Sequence, residues 1–493
     1  MKLKVLLLFL FVSVNLLAQT SSIEFTVDMT KPENHEYKIT LAAKVSPQAY
    51  IDFALPAWSP GYYQIMDFGK NVTTFEAKTT AGESLRWVKF GTNTWRVYTE
   101  FTEDLKIDYG VTASRSFVAT AYLDAERAFI KPASLFLYPV NKLDVPVTIN
   151  LVPKTGWNTV ATGLDGKNFT YKAPNYDILY DSPLLVGDLQ ELPAFTVKGK
   201  NHRFIGYNMG EFDGALLMKD LQKLITVATD LMGDIPYNHY TFIGIGPGQG
   251  GIEQLNSTAV SFTGKSVEGP GRSRTLSFLT HEYFHHFNVK RIRPVELGPF
   301  DYSKPNRTNL LWVAEGLTVY YEDIIMNRAG LLNREDMLKG WSNKIANLQK
   351  NEGRLKQTLA ESSANTWEDG PFGKKGETVS YYEKGPVVGM LLDLSIRTAT
   401  DNKKSLNDVM RLLYNDYYKK QNRGFTDDEV LRACEKVAGV KLNNLFDYIY
   451  STKELDYKTV FNKAGVEIDN NYVLSLRENL TPVQKSIIND LFR

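Results

Sequence analysis

From Ile23 to about Leu189, apolar and polar residues alternate. Ile23-Glu24-Phe25-Thr26-Val27, Tyr37-Lys38-Ile39-Thr40-Leu41, Trp95-Arg96-Val97-Tyr98 and Val147-Thr148-Ile149-Asn150-Leu151 each read as a strand with one face toward a core. Turn clusters such as Thr80-Ala81-Gly82-Glu83 and Gly163-Leu164-Asp165-Gly166 separate the runs, which predicts a β-sandwich-like domain over 19–192. After Pro193 the period changes. A strand at 203–207 precedes a helix over 213–232, where Leu216, Leu217, Leu221, Leu224 and Ile225 recur at helical spacing, and 240–245 is again a strand. Beyond residue 310 helical periodicity dominates, at 337–348, 387–397, 406–418, 427–438 and 442–450, with Ser405/Asp408 and Thr426/Glu429 as capping boxes. The pattern predicts an α+β chain: a β domain, a mixed domain over 193–400, a helical part over 401–455 and a tail over 456–493.

The N-terminus has its own pattern. Met1-Lys2-Leu3-Lys4, an apolar run from Val5 to Val14, and Asn15-Leu16-Leu17-Ala18 follow the order of an export signal, with cleavage expected near Ala18. No later run is long and apolar enough for a membrane span. The expected location is periplasmic or extracellular. The single cysteine, Cys434, excludes an internal disulfide, so the core, and a metal if present, must hold the fold. With 57 Lys+Arg against 56 Asp+Glu the chain has no strong net field, which argues against nucleic acid as a partner. Nothing in the pattern sets an oligomeric state.

The chemistry concentrates at Thr280-His281-Glu282-Tyr283-Phe284-His285-His286. Histidines four apart share one face of a helix, so both imidazoles reach one Zn²⁺, with the glutamate beside the attacking water. The apolar spacing of 274–279 places the motif in a helix, with Ser273 as its expected N-cap and Pro294 as its stop. A helix that merely carries these letters is the plain alternative. A third ligand is expected on the next helix: Glu315 lies in the otherwise apolar run 311–321, where an unpaired carboxylate is costly, and Glu322 and Asp323 compete for the role. Gly246 to Gly251 satisfies G-x-G-x-x-G, but the residues from Ile252 to Val260 read as extended rather than as the helix a dinucleotide site requires.

Five segments in one order resemble the M61 family of zinc aminopeptidases, the glycyl aminopeptidase family, over nearly the whole chain. They are Leu55-Pro56-Ala57-Trp58-Ser59-Pro60-Gly61-Tyr62-Tyr63, Gly250-Gly251-Ile252-Glu253, the His281–His285 motif with Asn288-Val289-Lys290-Arg291, Trp312-Val313-Ala314-Glu315-Gly316, and Ser380-Tyr381-Tyr382-Glu383-Lys384-Gly385. The resemblance implies a thermolysin-like catalytic domain with Zn²⁺ on His281, His285 and Glu315 and with Glu282 as general base. It further implies Tyr382, with Tyr381 as rival, as the donor to the oxyanion, and Gly250, Gly251 and Glu253 as the site for a peptide's backbone and free ammonium. Small first residues, Gly or Ala, are the expected substrates. Gln254 departs from the histidine common at that place. Phe461 to Arg493 is too short for the PDZ domain many members carry, so none is expected. Two other readings stand beside this one: a zinc endopeptidase with the same metal site, and a non-catalytic peptide- or glycan-binding protein using the aromatic loop 55–63.

Overall fold

A computed structural model describes residues 22–493; the expected export signal lies outside them. The alternation of the β region becomes two facing sheets. A seven-stranded sheet runs in the order Asp165–Lys167, Thr170–Ala173, Val147–Val152, Ser22–Asp28, Glu36–Lys44, Asp104–Thr112, Val72–Thr79. Its strand Ser22–Asp28 pairs parallel with Val147–Val152 and antiparallel with Glu36–Lys44. Phe25, Val27, Leu41 and Ile107 from this sheet share a core with Ile51, Phe53, Trp95 and Val97 of a four-stranded sheet, and Phe75 stacks on Trp95 at 5.4 Å. This is the sandwich the sequence predicts, with a second four-stranded sheet that includes Arg127–Ile130 and Leu184–Gly187.

The next sheet carries the site. Lys200–Gly206 and His239–Gly244 pair in parallel, so a crossover is required, and the helix Gly214–Met232 supplies it. Asp213 caps this helix by accepting from Leu216 N at 2.8 Å, and Gly233 ends it at φ 77°. His239–Gly244 pairs with Ser257–Val260, which turns back antiparallel onto Gly251–Glu253, the edge strand. The glycine-rich stretch therefore leads into a strand, as the extended pattern of 252–260 implies.

The helical half differs from expectation at several places; the expected helix over 406–418, for one, is α-helical only to Leu412 and π-helical over Leu413–Lys419. The motif helix spans Arg272–Phe284 with Gly271 at its cap, so Ser273 lies inside it and is not the N-cap; short 3₁₀ turns over 264–271 feed it. It ends at Phe284 rather than running to Pro294, because the chain after His285 folds into successive turns. Trp312–Gly316 is a π-helical turn before the helix Leu317–Arg328, a departure that hydrophobic spacing does not signal. The capping boxes at Ser405 and Thr426 form.

Residues past 455 are not an appendage. A helix at Tyr457–Ala464, a hairpin over Val466–Ile468 and Leu474–Leu476, and a helix at Pro482–Leu491 bury Phe461, Ile487, Ile488, Leu491 and Phe492 in the core that holds Trp341, Leu391 and Trp312. A smaller cluster, Phe129, Leu185, Ile205, Ile243 and Ile252 among others, joins the β domain to the catalytic sheet.

Candidate active site

The motif helix and the π-turn meet in a buried cluster. His281 Nε2 and His285 Nε2 lie 2.9 Å apart, and Glu315 Oε2 is 3.5 Å from the first and 3.2 Å from the second. Ligands about 2.0–2.1 Å from a tetrahedral Zn²⁺ stand roughly 3.3 Å apart, so the three atoms have the separations of a metal's donor set. The other ring nitrogens are committed: His281 Nδ1 pairs with Glu322 Oε1 at 2.6 Å and His285 Nδ1 with the Asn288 carbonyl at 2.6 Å. Each Nδ1 thus donates, and each Nε2 lone pair is free for a metal. Glu322 also accepts from Ser277 Oγ at 2.7 Å, which assigns this carboxylate to orienting His281, while Asp323 accepts from Lys344 and Trp341. Burial alone raises the Glu315 carboxyl; the two imidazoles outweigh it and hold the group below its ordinary range.

Two glycines bring Glu315 and Tyr382 together. A Cβ on Gly316 would lie 2.6 Å from Gly385 Cα, and one on Gly385 would lie 2.8 Å from Gly316 Cα, so the π-turn and the helix Tyr381–Ala399 touch backbone to backbone. This contact lets Tyr382 Oη donate to Glu315 Oε2 at 2.8 Å. Tyr381 instead pairs its hydroxyl with Thr366 Oγ1 at 3.0 Å, so of the two rivals Tyr382 reaches the His281–His285–Glu315 cluster. Phe372, 77% exposed, lies 5.6 Å from the Tyr382 ring at the mouth of the site.

Glu282 lies between the helix and the edge strand. Burial pushes its carboxyl up to about 7, and Thr258 Oγ1 stands 3.5 Å from Oε2. A Cβ on Gly251 would come within 2.8 Å of the Glu282 carboxylate, so only glycine lets the strand lie this close. Gly250 adopts φ 85°, the left-handed turn into that strand. At the strand's end Glu253 is 4% exposed, and its Oε1 has no hydrogen-bond partner. Gln254 is part of the hairpin, donating to the Ile252 carbonyl and accepting from Ser257 Oγ at 3.1 Å.

The aromatic loop 55–63 has two roles. Trp58 is fully buried, donates to the Asp301 carbonyl at 2.9 Å and meets Phe300, Tyr302 and Trp367, so it is a packing corner. Gly61, at φ 83°, stands so close to Glu253 that a Cβ would lie 3.0 Å from Oε2. Sequence reasoning gave Gly61, Lys290 and Asp181 no role, although Gly61 and Lys290 lie in segments that carry the resemblance; the structure brings Gly61 and Lys290 to Glu253, and Asp181 to Lys290.

Comparison with known proteins agrees with this geometry. The family model of the M61 peptidase N-terminal domain matches residues 24–188, and that of the M61 glycyl aminopeptidase matches 274–388. No curated protein matches the chain by sequence. Among solved structures, an aminopeptidase N family protein from Idiomarina loihiensis is 28% identical, with a TM-score of 0.85 over 92% of this chain and 82% of that one. The M1 zinc metallopeptidase from Deinococcus radiodurans shares the fold at 15% identity, TM-score 0.54, over 89% of this chain and 94% of that one. Yeast LTA4 hydrolase does so at 14% identity, TM-score 0.55, over 88% and 68%. With its β domain and its motif-bearing segment both matched in order, the chain belongs to the M61 glycyl aminopeptidase family and is a metallo-aminopeptidase.

Proposed function

We propose that the protein is an exported zinc aminopeptidase that removes small residues, Gly or Ala, from the free N-terminus of peptides. The observation that carries this reading is the buried His281–His285–Glu315 cluster beside an edge strand that ends in a buried carboxylate. His281, His285 and Glu315 would hold Zn²⁺, which supplies a Lewis acid that polarises the scissile carbonyl and acidifies the attacking water.

The chain's own residues do the rest. The free edge of Gly250 to Glu253 pairs with the substrate backbone, and Glu253 takes the α-ammonium, which fixes the register at the first peptide bond. Glu282 accepts the proton that the water gives up as its oxygen bonds to the carbonyl carbon. It then delivers that proton to the leaving nitrogen as the C–N bond breaks. The Tyr382 hydroxyl, now resting on Glu315, donates to the oxygen that gains charge. The family's description as glycyl aminopeptidase supports the small-residue preference. So does the free space next to Glu253, a cavity of about 80 Å³ lined by Gly61, Tyr63, Leu255 and Phe300 among others. That is smaller than the ~150 Å³ that accepts a benzene ring. The N-terminal pattern of residues 1–18 supports export.

The test is metal analysis of purified protein with a panel of aminoacyl reporters. One zinc per chain and fastest release from Gly and Ala are expected. Equal rates on large aromatic reporters contradict the size preference, and metal-free activity contradicts the whole reading.

A further inference from the structure

Lys290 is a buried cation within reach of two carboxylates, and it favours one. Its Nζ stands 2.7 Å from Asp181 Oδ1 and 3.4 Å from Glu253 Oε1, and only the first contact has hydrogen-bond geometry. Asp181 comes from the β domain, at the C-cap of the helix Tyr176–Tyr180, and its other oxygen accepts from Leu255 N at 2.6 Å, two residues beyond Glu253. Side-chain exposures of 9%, 12% and 5% for Lys290, Asp181 and Glu253 put the three charges away from water, where each counts for most.

The charges then decide what Glu253 offers. Within this trio Asp181 cancels Lys290, and one negative charge remains on Glu253, whose Oε1 has no hydrogen-bond donor. Without Asp181, Lys290 would be the full counter-ion of Glu253, and an incoming ammonium would have to compete with it. Lys131, also buried, acts on the same three groups; whatever its charge, losing Asp181 shifts the balance by one unit. We propose that Asp181 is a specificity-determining positioning residue of the amine site: it draws Lys290 to itself and keeps Glu253 uncommitted for the substrate's α-ammonium. The β domain thereby supplies a group that tunes recognition in the catalytic domain. This inference rests on Glu253 as the amine's partner, the reading given above.

The charge balance makes a test that a purely structural role does not mimic. Asp181→Asn keeps the shape and the acceptor for Leu255 N but frees Lys290. With an alanyl reporter, KM should rise about tenfold, with kcat within about threefold and zinc content unchanged. Asp181→Asn combined with Lys290→Met removes the competing cation as well, and KM should return to within about threefold of wild type. Lys290→Met alone leaves the site no less negative after any proton uptake, so its KM should not exceed the wild-type value. Wild-type KM in Asp181→Asn overturns the inference. So does a double variant as impaired as the single one at wild-type Tm and zinc content, or a tenfold rise in KM for Lys290→Met, the variant that decides if Asp181→Asn does not fold. Glu253→Ala separates the two levels. If its KM is wild type, the reading of Glu253 itself fails; if Glu253→Ala is impaired and Asp181→Asn is not, only the inference about Asp181 fails.

Discussion

His281 and His285 each have one ring nitrogen tied to the protein and one turned to the cluster, and this division leaves both Nε2 atoms able to hold a metal. Replacing either histidine by alanine removes a ligand, so zinc content and activity should fall together; stoichiometric zinc in both variants contradicts the assignment. Glu322→Gln keeps a neutral acceptor but loses the charge on His281, and zinc affinity should drop roughly 10–100-fold in a chelator competition. An unchanged affinity would return Glu322 to an ordinary helix-face carboxylate. Tyr382→Phe should retain zinc and lose kcat by about 10²-fold, while Tyr381→Phe, which loses only the Thr366 contact, should not. Near-normal turnover of Tyr382→Phe would exclude it as the donor. The buried His281–His285–Glu315 cluster was legible because the histidines are four residues apart on one helix, and Glu315 because a carboxylate in an apolar run needs a partner. Asp181 and Gly61 were not, since Asp181 meets Lys290 and Leu255, and Gly61 meets Glu253, only when the β domain docks, and no local spacing encodes that.

At the scale of elements, the site depends on how closely the π-turn Trp312–Gly316 lies against the helix Tyr381–Ala399. A methyl at Gly385 has Gly316 Cα at 2.8 Å and the Trp312 carbonyl at 3.3 Å, so neither side yields without moving backbone. Gly385→Ala should therefore cost about 1–3 kcal/mol of stability and also weaken zinc binding, because Glu315 moves with the turn. Calorimetry with and without chelator reads both effects, and wild-type zinc affinity in a destabilised variant would detach Glu315 from this contact. The hydrophobic period located most helices, and the spacing of polar residues located the capping boxes at Ser405 and Thr426 but missed those at Thr358 and Thr481; the period did not distinguish a π-turn from an α-turn. Glu315, Gly316 and their neighbours are all buried, so the amphipathic signal that would reveal the register is absent there. For the same reason the buried stretch after His285 reads as more helix, whereas it folds into turns that give His285 its carbonyl partner at Asn288.

At the scale of the molecule, the last residues belong to the catalytic core. Phe492 is fully buried with its ring 5.2 Å from Trp341, and Asp490 pairs with Arg328 and Arg397. Phe492→Ala should lower unfolding free energy by about 3–5 kcal/mol in denaturant titration, and a change near zero would mark the tail as dispensable. The signals past 455 were present but short: Thr481 and Gln484 form a capping box with Pro482 in the first turn, and Phe461, Ile487, Ile488 and Leu491 are the apolar faces of helices of only 8 and 10 residues, too brief for periodicity alone to assign. The β domain, too, reaches the candidate site: a Cβ on its Gly61 would press on Glu253, and its Asp181 pairs with Lys290 and with Leu255 N beside Glu253. The central proposal, that Glu253 reads the substrate's free amine, is tested most directly by comparing free-amino and acetylated versions of one peptide, for wild type and Glu253→Ala, at one pH and salt concentration. Wild type should strongly prefer the free amine, and Glu253→Ala should lose roughly 2–5 kcal/mol in kcat/KM for the free form alone. The ratio should collapse with zinc content unchanged. An unchanged ratio, or wild-type cleavage of the acetylated peptide at a comparable rate, would contradict that proposal.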